Sequence, residues 1–204
     1  MYAGRTRFVR VSRRAVRDAL AVALGAWLVA LIVISALRVG DHTPPVSDFA
    51  STPDLILDGH LWTLLTSAMP VGRWPFAEIA GMVAAIYGVW RVAGMGAVWI
   101  AGLAAHIGST LVVYAGIGVL WLFDHGTVSD QVDRLDYGIS AIWLGELGFL
   151  TAALWARNRR AAAGVGVASL AVSIGLLPVA GEMATAEHVL AFVIGAALPM
   201  TVMS

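Results

Sequence analysis

The sequence predicts an all-α integral membrane protein, a bundle of six transmembrane helices with both termini in the cytoplasm. Three observations predict it. Of 204 residues, 59% are hydrophobic and 13% charged, against about 45–50% and about 25% in a soluble domain. Apolar runs fall at 19–38, 76–92, 95–121, 137–156, 161–179 and 185–203, each close to the roughly 20 residues that a hydrocarbon core of about 30 Å requires. The arginines are also segregated to alternate connections, as the positive-inside rule demands of a multi-pass chain. The composition excludes a disordered chain, a coiled coil and a nucleic-acid-binding module. The absence of cysteine excludes disulfides, thiolate catalysis and thiolate-ligated metals.

Taken in order, residues 1–18 form a basic cytoplasmic segment carrying Arg5, Arg7, Arg10, Arg13, Arg14 and Arg17, and residues 19–204 form one membrane domain. Ser12-Arg13-Arg14 has the look of a twin-arginine signal. The apolar run that follows is nevertheless long for a cleaved leader, and no small-x-small site closes it. The expectation is an uncleaved first helix. Residues 39–75 are too many for a simple connection. They hold Pro44-Pro45, four aspartates and the apolar stretch Leu61-Trp62-Thr63-Leu64-Leu65. That stretch is too short to span and suits an element lying in the interface, with Trp62 and Trp74 at headgroup level.

Arg91 follows the second span, and Arg157, Arg159 and Arg160 follow the fourth. With the first six these ten arginines face the cytoplasm. The third span, at 95–121, is longer than a bilayer needs and is expected to tilt or project. The remaining connections face outward and hold Asp41, Asp48, Asp54, Asp58, Asp124, Asp130, Asp133, Asp136 and Glu182. A bacterial inner membrane is the expected location.

Ionisable groups within a span are costly, so each is a candidate for function. They are Glu78, His106, Glu146 and His188, with Ser140 as the notable hydroxyl. The fourth and sixth spans both begin on the outer face, and Ser140 and His188 lie at similar depth in them. At about 1.5 Å per residue, both fall within roughly one turn of the outer end. The stripes Gly138, Ala141, Gly145, Gly148 and Ala191, Gly195 allow close approach of the two backbones. The two side chains can therefore meet. Ordinary readings also stand: Ser140 as a helix cap, and His188 with Glu187 in the wet interface. His106 suits a polar contact between helices. Glu146, out of phase with Ser140, suits a core hydrogen bond. Trp143, one turn from Ser140, is expected to pack against the His188 ring. No His/Glu pair has metal-ligand spacing on one helix, and no cofactor is expected.

These residues resemble the rhomboid family of intramembrane serine proteases. Gly138-Ile139-Ser140-Ala141 resembles the family's Gly-x-Ser-Gly nucleophile motif. His188-Val189-Leu190-Ala191-Phe192-Val193-Ile194-Gly195 resembles the His-x-x-(Gly/Ala)-(Leu/Phe)-x-x-Gly of its last core helix. Leu61 to Thr66 looks like the start of the family's long first loop. The resemblance covers the chain after residue 18. Where active members carry His-x-x-x-Asn on the second helix, this chain has about Phe76/Ala77 and Ala80/Gly81. Thr63 stands in place of the arginine after the loop tryptophan, and Ala141 in place of the motif's last glycine.

The resemblance implies a rhomboid-like bundle in which Ser140 is the nucleophile and His188 the general base. The backbone N–H groups of Ser140 and Ile139 would receive the oxyanion, and the substrate would be the outer end of another protein's transmembrane helix. Glu78, near the empty second-helix positions, is a possible accessory donor, and Glu187 is expected to face the headgroups. The alternative is a catalytically inactive rhomboid-like protein that binds transmembrane clients. A third reading is a proton path through Glu78, His106 and Glu146.

Overall fold

The computed structural model describes residues 12–39, 45–69, 75–155, 157–175 and 177–199. Trp74, Arg5, Arg7, Arg10 and Asp41 lie outside the described residues. Regular structure among those described is helical: α1 (Arg13–Val39), α2 (Pro53–Leu57), α3 (Thr63–Thr66), α4 (Pro75–Ala93), α5 (Met95–Phe123), α6 (His125–Val132), α7 (Ser140–Trp155), α8 (Arg159–Gly175) and α9 (Leu177–Ala197). Three of these, α1, α4 and α5, are long and apolar enough to cross a membrane, and α7 is a shorter apolar helix.

Local chemistry sets the boundaries. Proline at the first helical position opens α4, where its missing N–H is no loss. The α4–α5 corner turns on Gly94 at φ +89°, a conformation that only glycine adopts without strain. Thr52 caps α2 by accepting from the Leu55 N–H at 3.0 Å, with Pro53 behind it. Two elements depart from the sequence expectation. Helix α1 begins at Arg13, inside the segment assigned to a basic tail, because arginines are good helix formers and a charged first turn does not stop propagation. Helix α9 runs from Leu177 but is broken at Gly181, φ +82°, so its regular part starts close to the position expected for the last span.

Helix α7 is the centre. Its residues Ala141 to Glu146, Gly148 and Phe149 are buried, and it packs against α4, α5, α8 and α9. The core joins Met82, Ala85 and Val89 of α4, Val98 and Ala101 of α5, and Leu144 and Phe149 of α7. Close approach to α9 comes from the glycine stripe. A Cβ on Gly195 would collide with the Gly145 backbone, and one on Gly148 with the Phe192 carbonyl. Helix α1 is peripheral, with Leu24 and Leu31 inside and Val22, Val29, Ile32 and Val33 exposed. Exposed apolar faces also run along α4 (Val83, Tyr87, Trp90) and α5 (Val112, Val119, Leu122). A water-soluble monomer rarely leaves that much contiguous apolar surface bare.

The segment between α1 and α4 folds back over one end of the bundle. Trp62, Leu61 and Leu65 are exposed, while Leu64 and Thr63 are buried, so this stretch is two-faced as an interfacial element should be. An isolated antiparallel bridge joins Ser51 to Asp136. Arg38, at the end of α1, sits over the Tyr137 ring at 5.3 Å. The C-terminal end of α1, this folded segment and the start of α7 thus share one end of the molecule. At the other, the Trp99 indole N–H donates to the Leu20 carbonyl at 3.1 Å.

Candidate active site

The nucleophile candidate sits where an extended strap becomes a helix. Residues 136–138 are held by three backbone hydrogen bonds to two residues, Ser51 and Ser67. The Asp136 N–H donates to the Ser51 carbonyl at 2.8 Å and the Ser51 N–H returns the bond at 2.9 Å. The Gly138 N–H donates to the Ser67 carbonyl at 2.8 Å. Gly138 then takes φ +129°, turning the chain so that Ser140 is the first residue of α7. The Ile139 carbonyl accepts from the Ile142 and Trp143 N–H groups at 3.1 and 3.3 Å. The Ser140 N–H, at the first helical position, has no intrahelical partner by geometry and lies at the positive end of the helix dipole.

His188, on α9, meets this serine. Its Nε2 lies 2.7 Å from Ser140 Oγ, a short bond for an O–H donor. His188 is 4% exposed and its Nδ1 has no hydrogen-bond partner. With Nε2 accepting the serine proton, the ring N–H is on Nδ1. Ser140 is only half-buried, so a reactant can reach it. The arrangement has the geometry of a dyad: a hydroxyl and an imidazole in contact, with no acidic group on the ring. No family model matches this chain, and no curated protein or solved structure is similar to it.

The remaining candidates fall in varied places. Glu78 is in the first turn of α4, half-buried. Trp143 packs against α4, where a Cβ on Gly81 would stand 4.0 Å from its ring. His106 is buried and its Nε2 lies 3.2 Å from Ser67 Oγ. It reaches the folded segment rather than another long helix, and through Ser67 it supports the same strap that carries Gly138. Glu146 is 1% exposed. It faces α5 beside Gly102 and borders a cavity of about 260 Å³ lined by Leu24, Trp27, Trp99 and Ile142. Its Oε2 has no partner, so the expected core hydrogen bond at that oxygen is not made.

Glu187 corrects the sequence reading most. It was assigned to the headgroups, yet it is 4% exposed and its side chain is turned into the protein. Asp136 is itself buried and accepts from the Tyr114 hydroxyl at 3.1 Å. Burial pushes the Asp136 carboxyl above the usual carboxylate range, against the smaller opposing effects of Glu187, His106 and Tyr114. The physical reason for the inward turn is the helix phase. Glu187 precedes His188 by one residue, about 100° round the helix, and both side chains fall on the buried part of α9.

Proposed function

We propose that this chain is a rhomboid-like intramembrane serine protease of six membrane spans, with both termini cytoplasmic, cleaving transmembrane helices of other proteins near the outer face of a cell membrane. The observation that carries the reading is the 2.7 Å contact between Ser140 Oγ and His188 Nε2, made by two helices locked together through glycine. The shared end of α1, the folded segment and α7 agrees with the alternation of sides that six spans require.

The chemistry follows from the dyad. Ser140 Oγ attacks the scissile carbonyl carbon as His188 Nε2 takes its proton. The oxyanion forms beside the N–H groups of Ser140 and Ile139. The imidazolium then delivers its proton to the departing amine, and the acyl-enzyme remains on Ser140. Water entering from the exposed side of Ser140 gives a proton to His188 and its oxygen to the acyl carbon. The bond from that carbon to Ser140 Oγ then breaks, the imidazolium returns the proton to Oγ, and the acid is released. A helix substrate must unwind locally first, because its carbonyls are otherwise engaged along the helix.

A second reading is an inactive client-binding protein. Phe76, Ala77, Ala80 and Gly81 offer no side-chain donor for an oxyanion, and loss of one such donor costs about 10²–10³ in kcat. Reaction of the solubilised protein with a fluorophosphonate separates the two. Covalent labelling of the wild type but not of Ser140→Ala or His188→Ala is the result expected of an enzyme. Absence of label under conditions that label an active serine protease of the same class selects the client-binding reading.

A further inference from the structure

We propose that the cavity beside Glu146 is a binding site for a small neutral alcohol dissolved in the membrane, with the alcohol's hydroxyl donating to the Glu146 carboxyl. The site does not rest on the protease reading, because neither Ser140 nor His188 is among its walls.

The cavity lies behind the first helix. Leu24 and Trp27 come from α1, Ala68 from the turn after α3, Trp99 from α5, and Ile142 and Glu146 from α7. Helix α1 meets the bundle at separated points. The Trp27 and Trp99 rings have their centres 6.2 Å apart, and the Trp99 indole N–H donates to the Leu20 carbonyl at 3.1 Å. Behind these contacts the cavity measures about 260 Å³. A Cβ on Gly102 would stand 2.9 Å from Ile142 and 3.5 Å from Glu146 Oε1, so glycine on α5 leaves the room in which the carboxyl sits.

Glu146 makes this more than an apolar gap. It is 1% exposed, and its Oε2 has no hydrogen-bond partner. An unpaired buried polar group is costly, and native interiors seldom hold one. The terminal torsion of a glutamate is broad, so either oxygen can turn to the cavity.

The walls select the chemistry of the occupant. The Trp99 N–H is already engaged, and the surfaces around the carboxyl are aliphatic or indole. A lipid acyl chain fits them but brings no donor. A buried water needs about two to four polar partners, and the carboxyl supplies only itself. An ammonium carries three N–H donors, and those beyond the carboxyl's reach would lie bare against apolar walls at high cost. A hydroxyl has a single donor. It serves the carboxyl in either protonation state, donating to the carboxylate, or donating to or accepting from the acid. Size is set in the same way: a cavity of about 150 Å³ holds benzene, so this one takes roughly ten non-hydrogen atoms.

The test uses the full-length protein in lipid vesicles and 8-bromo-1-octanol, which matches that size and whose bromine quenches indole fluorescence on contact. Trp27 and Trp99 on the walls report occupancy. The wild type is expected to show a saturable component above the linear quenching of lipid-exposed indoles. 1-Bromooctane, the same chain without the hydroxyl, is expected to bind about tenfold more weakly at equal mole fraction in the membrane, as for loss of one hydrogen bond. Glu146→Leu is expected to erase that preference, and Glu146→Gln, whose amide still accepts, to keep most of it. Ala68→Phe, which fills the cavity, is expected to remove the saturable component for both compounds. Equal saturation by both compounds in the wild type would assign the cavity to acyl chains and overturn the proposal. Strictly linear quenching by both would overturn it as well. So would displacement of the bromoalcohol by octylammonium at a lower mole fraction than by 1-octanol, which would assign the site to a cation. These three comparisons use the wild type alone, so a variant that fails to fold does not blunt them.

Discussion

His188 holds its place without an acidic partner on Nδ1. In a triad the third residue fixes the ring's tautomer and orientation; here burial against α7 and the 2.7 Å bond to Ser140 do so. Replacing His188 by alanine removes the base and leaves the hydroxyl near its ordinary nucleophilicity. The labelling rate is expected to fall by about 10³-fold or more, as for loss of a member of a catalytic unit. Support from further out is weaker. Ser67→Ala strands His106 Nε2, which Ser67 Oγ now meets at 3.2 Å. Leaving a buried polar group unpaired costs about 1–3 kcal/mol. A lowered melting temperature with labelling still measurable is the expected outcome, and an unchanged melting temperature would show that water replaces the hydroxyl.

The dyad residues themselves were legible in the sequence, through matching depth on two spans and the small-residue stripes beside them. Glu187 was misread, and the burial of Asp136 was not legible, for opposite reasons. Asp136 sits in a connection, where an acidic residue is ordinarily solvated, and nothing in its neighbours announces the backbone bridge to Ser51, 85 residues earlier. Glu187 lay within a predicted span and so carried the usual warning of a costly buried charge. Its position near the helix end made the headgroup region the easier destination. The inward turn depends on packing that only tertiary structure supplies.

At the scale of elements, the α7–α9 contact decides whether the site exists. Gly195 meets the Gly145 backbone so closely that any side chain there must push the helices apart. Overpacking of this kind costs about 1–3 kcal/mol. Gly195→Val is expected to lower thermal stability and to abolish labelling of Ser140 together. Gly116→Ala, on α5 where a Cβ meets nothing, is the control and is expected to change neither. Equal behaviour of the two variants would show that close glycine packing does not set the dyad. Spacing alone indicated these stripes, because small residues four apart have one evident use between apolar helices. It did not indicate α6 (His125–Val132), whose short run carries Asp130 and Gln131 and has little apolar content, nor the strap's hydrogen bonds, which join segments far apart in sequence.

Across the whole molecule, the long apolar helices α1, α4 and α5 were read from composition to within a few residues, except where α1 extends into its arginine-rich start. Hydrophobic runs of that length have few alternatives. Sidedness is the larger claim. A chain without cysteine permits single thiols to be placed at will. Ser12→Cys and Asn158→Cys are expected to react with a membrane-impermeant maleimide only from the cytoplasmic side, and Asp58→Cys and Ser129→Cys only from the outer side. All four positions are exposed, so burial does not confuse the result. Any pair reacting from the wrong side would place Ser140 at the other face of the membrane.

Proteolysis at this site requires an activated Ser140, and the most direct measurement of that is peptide mass spectrometry of the protein after brief exposure to a fluorophosphonate. The predicted result is a single adduct on the peptide containing Ser140, absent when His188 is alanine. Adducts scattered over Ser51, Ser67 and Ser109, or an equal yield on Ser140 with and without His188, would contradict it.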